Sequence, residues 1–188
     1  MTTRPRADRP RLDGADMAER ELSPDCRRCF GLCCVAPALR ASPEFAIEKD
    51  ANEPCLNLRA DDFRCRIHDT LRHSGFPGCA IYDCYGAGQR VAQETFGGTD
   101  WRQAPHTSTT MFATFMIMRQ LHELLWYLDG ALRLTTATAL HDELRQASAE
   151  IDLLASGDAV TLLGLDVAAH RREVEALLLR TGAAIRGQ

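Results

Sequence analysis

Apolar residues are distributed along this chain in two regimes. From Thr107 to Asp129, Phe112, Phe115, Met116, Leu121, Leu124, Leu125 and Leu128 recur near helical spacing, which predicts a helix over that segment with Gly130 as its stop. Leu140, Leu144, Ala147, Ile151 and Leu154 follow at alternating intervals of four and three. That is the stripe of an amphipathic helix, ended by Gly157. Asp166 is placed to cap a last helix carrying Val167, Val174, Leu177 and Leu178. Three helices with short links predict an antiparallel hairpin or a small bundle.

The first half carries no long periodic run. Ser23-Pro24-Asp25 has the form of a helix start, with a hydroxyl cap, a proline at the first helical position and an acid in the first turn; Ser42-Pro43-Glu44 repeats it. The expected fold is therefore mainly α: a loop-rich cysteine domain with short helices, followed by the helical hairpin or bundle. Residues 1–20 form a tail, 21–100 the cysteine-rich metal-binding domain and 101–188 the helical region. Gly97-Gly98-Thr99-Asp100 and Pro105 read as the loop between the last two. The sequence shows no internal repeat and no low-complexity tract.

Composition narrows the function classes. With 188 residues, 45% apolar and 26% charged, the chain is globular in character. A net charge of −4 without a basic stripe argues against nucleic acid as a partner. The apolar stretches are broken well short of the ~20 residues a bilayer span needs, and no apolar leader opens the chain, so no membrane partner is expected and the expected location is cytoplasmic. A protein partner held by the C-terminal helices is compatible with their pattern. Of the 22 basic residues only Lys49 is a lysine, a bias that reads as a GC-rich genome.

The chemistry lies in the cysteines. All eight fall between residues 26 and 84, as Cys26-x2-Cys29-x3-Cys33-Cys34, then Cys55, Cys65, Cys79 and Cys84. A reducing cytoplasm disfavours a disulfide framework and redirects attention to metal. Thiolates select zinc, Cu(I) and iron–sulfur clusters over hard cations. If the first segment is helical, Cys26, Cys29 and Cys33 share one face, and the remaining ligand comes from downstream. Adjacent residues point apart, so Cys33 and Cys34 do not serve one metal equally: either one is a buried thiol or the pair serves two neighbouring sites, for which eight cysteines suffice. The gap order differs from the radical S-adenosylmethionine signature, and the spacing from the bacterial ferredoxin run.

Other residues are weaker candidates. His68 stands three residues after Cys65, at ligand-compatible spacing, while His73, His106, His122, His141 and His170 are isolated. Arg27, Arg28, Arg64 and Arg66 flank the cysteines and would favour thiolates, or are simply solvated. Trp101, Trp126 and Tyr127 are expected to pack among helices. No Ser/His/Asp set or carboxylate pair has catalytic spacing.

The run Cys26-Arg27-Arg28-Cys29-Phe30-Gly31-Leu32-Cys33-Cys34 resembles the YkgJ-type cysteine-cluster family, a zinc- or iron-chelating group that includes the cysteine-rich part of flagellin lysine N-methylases. Pro54-Cys55, Cys65-Arg66-Ile67-His68, Pro77-Gly78-Cys79 and Tyr82-Asp83-Cys84 extend the likeness over residues 26–90. The stretch is closer still to a module preceding pentapeptide repeats in actinobacterial proteins, through Cys33-Cys34-Val35-Ala36-Pro37, Gly86-Ala87-Gly88-Gln89 and Phe96-Gly97-Gly98. Tandem repeats of that kind are absent, and Cys29-x3-Cys33 is one residue longer than the usual opening pair. The resemblance implies metal held by Cys26, Cys29, Cys33, Cys34, Cys55, Cys65, Cys79 and Cys84. It puts first one or two iron–sulfur clusters, of the 4Fe–4S kind, in a redox, sensing or enzymatic role. A zinc-stapled interaction module without catalysis is the alternative. A methyltransferase-like enzyme or accessory working with S-adenosylmethionine is a third reading carried by the resemblance alone, since Gly86-Ala87-Gly88 reads as a turn and not as a nucleotide loop.

Overall fold

A computed structural model describes residues 21–134 and 138–186. The expected N-terminal tail lies outside the described residues. The architecture is mainly helical, as the apolar pattern predicts. Three short helices, α1 (Leu32–Val35), α2 (Pro77–Ile81) and α3 (Ala87–Arg90), stand among loops in the first half. The second half holds α4 (Ser108–Leu134), α5 (Thr138–Ala155), α6 (Ala159–Leu163) and α7 (Val167–Arg186). A π-helical turn, Val91–Thr95, continues α3. Among the described residues no helix is long and apolar enough to cross a membrane.

The long helix α4 organises the whole. Met111, Phe115, Met118, Leu121, Leu125 and Leu128 are fully buried along it. The predicted stripe of α5 packs on this face through Leu144 and Ile151, with Ala147 and Leu154 partly covered. Val174 and Leu177 bring in α7. Arg171 on α7 donates to Glu123 of α4 at 2.8 Å, closing the rim of that contact. The same core continues without a break into Leu32, Val35, Leu58, Ala87 and Val91, so the cysteine region is seated on the first half of α4.

Several local expectations differ from the structure; among them, Trp126 and Tyr127 are exposed and not packed among helices. Ser23-Pro24-Asp25 does not start a helix. Asp25 accepts the Arg27 and Arg28 backbone N–H groups in a single turn, through its side chain (2.9 Å) and its carbonyl (3.1 Å). Phe30 and Gly31, at φ 51° and 67°, then take the left-handed region that ends helical propagation. Ser42-Pro43-Glu44 is a tight turn closed by reciprocal Ser42–Phe45 backbone bonds of 3.0 and 3.2 Å. Gly130 is inside α4, not at its end. Met116, read into the apolar stripe, is exposed. Neither the π-helical turn nor α6 was anticipated; α6 is a single short helix capped by Asp158, which accepts the Thr161 N–H at 2.8 Å.

Candidate metal centre

The cysteines converge by turns and not by a shared helical face. The broken turn at Cys26–Gly31 carries Cys26 and Cys29 past one another, so that the Cys29 thiol donates to the Cys26 carbonyl at 3.7 Å. Cys33 follows on α1. Cys84 arrives from the far side, where Tyr85 and Gly86 are both left-handed (φ 51° and 80°) and the Ala87 N–H closes onto the Cys84 carbonyl at 2.9 Å. Cys26, Cys29, Cys33 and Cys84, with Gly88 and Phe115, wall one cavity of about 20 Å³. That is room for one water-sized or ion-sized occupant.

Three side chains whose bonds sequence patterning does not reveal hold this arrangement. Gln89 accepts the Asp25 N–H at 3.1 Å and donates to the Ser23 carbonyl at 2.8 Å, fastening the segment before Cys26. Gln93 donates to the Arg28 carbonyl at 2.8 Å and the Trp101 indole N–H to the Phe30 carbonyl at 2.9 Å. All three span more than sixty residues of sequence, which is why no local signal reveals them.

The other four cysteines lie beside this cavity. The Cys55 N–H donates to the Cys34 carbonyl at 2.9 Å. The Leu58 N–H donates to the Cys55 carbonyl, and Leu58 pairs with Cys65 across an isolated bridge. Cys79, on α2, has the thiols of Cys33, Cys55 and Cys65 within electrostatic reach. Cys33 is the hub, since Cys29, Cys65, Cys79 and Cys84 all feel its charge.

Crowding and burial favour the protonated form of Cys29, Cys33, Cys65, Cys79 and Cys84. Cys29 is raised well above the ordinary thiol range, first by its thiol hydrogen bond with Cys26 and then by burial; Cys33 likewise, first by Cys34. Burial pushes Cys79 and Cys84 each up to about 11, and raises Cys65. Tyr82, beside Cys33 and Cys84, is raised well above its usual range by burial, while the Arg119 guanidinium stands over its ring 5.2 Å from the centroid.

The chain's one lysine lies against this region. Lys49 is 6% exposed, and its ammonium donates to the carbonyls of Val35, Asp50 and Glu53 at 3.0, 2.8 and 2.7 Å. Burial lowers its pKa, and the charges of Cys55 and Cys34 raise it. The arginines flanking the cysteines, Arg27, Arg28, Arg64 and Arg66, are exposed. His68 is exposed beside Asp69, and His122 is buried with Nδ1 2.7 Å from the Tyr85 carbonyl.

The donor set suits a soft metal. Four thiols enclosing one ion-sized cavity match the ligand number and type of zinc or thiolate-bound iron. Among the described residues, no three cysteine, histidine or carboxylate side chains as they lie are gathered tightly enough to hold an ion. Turning the thiols inward about their staggered χ1 wells is the adjustment that loading requires.

No family model matches the chain, and no solved structure matches it. It is similar to a Bacillus subtilis (strain 168) protein described as "Uncharacterized protein YybG", with 48% identity over 168 residues, covering 89% of this chain and 60% of that protein. The chain thus spans about 60% of the length of the relative it matches.

Proposed function

We propose that this protein is a cysteine-ligated metalloprotein of the YkgJ type, holding an iron–sulfur cluster in a redox, sensing or enzymatic role in the cytoplasm. The observation that carries the metal reading is the enclosure of one cavity by Cys26, Cys29, Cys33 and Cys84, which approach it from two segments far apart in sequence. Gathering four thiols, Cys29 buried and Cys33 and Cys84 partly so, around a space with no cation among its walls leaves the charged state unfavourable, and a bound metal reverses that. Iron and acid-labile sulfide in anaerobically prepared protein, with broad visible absorption, are the expected result. Protein containing neither iron nor sulfide after anaerobic reconstitution overturns the cluster.

A second reading is favoured by the size of the cavity. About 20 Å³ accommodates a single ion more readily than a four-iron core, which supports a structural zinc centre that staples the loops to α4 and leaves the outer helices for a protein partner. It predicts stoichiometric zinc without sulfide, and unfolding of the first half on chelation. The methyltransferase-like reading rests on the family resemblance, and calorimetry with S-adenosylmethionine on the loaded protein tests it.

A further inference from the structure

We infer that the eight cysteines form two adjacent four-thiolate metal centres: Cys26, Cys29, Cys33 and Cys84 in one, and Cys34, Cys55, Cys65 and Cys79 in the other, the second with Lys49 as its counter-ion. The inference rests on the metalloprotein reading and assigns its ligands.

The first centre is defined by the cavity, whose walls contain four of the eight cysteines and none of the others. Four thiolates complete a tetrahedral shell, and a cavity of about 20 Å³ has no room for a second ion. The remaining four are therefore surplus to it, yet they are not scattered. Backbone bonds tie Cys34 to Cys55, the Leu58 bridge ties Cys55 to Cys65, and Cys79 on α2 has Cys55 and Cys65 as charge neighbours beside Cys33. Cys33 and Cys34 are neighbours on α1 whose thiols meet, so they stand at the junction of the two sets, one in each.

Lys49 lies on the side of the second set, since its ammonium donates to the carbonyls of Val35, next to Cys34, and Glu53, two residues before Cys55. Its thiol neighbours are Cys55 and Cys34, both of the second set. A divalent ion in four thiolates carries a net charge of −2, and a desolvated ammonium beside it offsets half of that. Loading either centre with Zn²⁺ converts four thiols to four thiolates and releases four protons to solvent, with no change of oxidation state.

The test uses the full-length chain, stripped of metal under reductant and titrated with Zn²⁺ alone. Native mass spectrometry is expected to show two Zn²⁺ per chain. Alkylation of the half-loaded species, mapped by peptide mass, is expected to protect four cysteines as one of the two sets. C26S/C84S and C55S/C65S are each expected to retain one Zn²⁺. A wild-type chain that stops at one Zn²⁺, or half-loaded protein protected across both sets, overturns the partition while leaving the metalloprotein reading intact. A chain that binds no Zn²⁺ and no iron overturns both.

Discussion

Gly88 presses its bare α-carbon against Cys29: a Cβ at position 88 would stand 2.8 Å from the Cys29 Cβ and 3.8 Å from its Sγ. A Cβ is fixed to the main chain and cannot swing aside, so a methyl group at 88 must displace α3 or the Cys26–Gly31 turn. G88A is expected to cost about 1–3 kcal/mol, the range for overpacking a close contact. It is also expected to weaken Zn²⁺ binding, because Cys29 moves with the turn. Urea unfolding and Zn²⁺ titration check the pair of effects, and a variant as stable and as tight as the parent would contradict the packing.

Lys49 anchors the loop between α1 and Cys55 by a geometry that arginine cannot copy. Three ammonium protons meet three carbonyl oxygens within 3.0 Å. A guanidinium is a planar fork too large to aim at all three. K49M leaves three acceptors that had a charged donor without one, and is expected to cost about 3 kcal/mol or more. K49R is expected to be destabilised as well, and a K49R variant with parental urea stability would remove the special role of the ammonium.

Lysine occurs once in this chain, and the three-carbonyl cage explains the one that stands at position 49. The apolar stripes of α4, α5 and α7 were legible because burial on α4 imposes helical periodicity on Leu144, Ile151, Val174 and Leu177. The clustering of cysteines was legible as composition. Their route together was not: it depends on left-handed residues such as Phe30 and Tyr85, for which glycine or asparagine would have been the local signal. Nor could the bonds of Gln89 or Trp101 be read from the sequence, since their partners are Ser23 and Phe30, remote along the chain.

The buried thiols make the metal-free protein sensitive to alkali. Cys84 and Cys79, each near 11 in the fold against an ordinary 9.0, stay neutral where the unfolded chain has already ionised. The unfolded state then holds fewer protons, so stability falls as pH rises. The contribution is complete below pH 9 and is lost between 9 and 11. It amounts to about 3 kcal/mol for Cys84 at ~1.4 kcal/mol per unit, and less for the half-open Cys79. Lys49, held below 10.5 by burial, works in the opposite sense and offsets part of the loss. Urea midpoints of reduced, metal-free protein at pH 8, 9 and 10 are expected to fall little from 8 to 9 and clearly from 9 to 10, and a flat profile would contradict the burial of these thiols.

Gly130 offers a test of where α4 ends. Its sequence position suggests a helix stop, yet α4 runs on to Leu134 and Gly130 does not adopt a positive φ. A glycine C-cap ends a helix through the left-handed conformation, which is absent at this position. A Cβ at 130 would meet nothing within 4 Å. Alanine therefore introduces no clash and restricts the unfolded chain, so G130A is expected to stabilise the protein by about 0.5–1 kcal/mol, raising Tm by roughly 2–4 °C per kcal/mol for a chain of this size. If the helix instead stopped at Asp129 with Gly130 turning left-handed, alanine would be strained there and the same substitution would lower Tm. Thermal unfolding of G130A against the parent decides between the two by its sign.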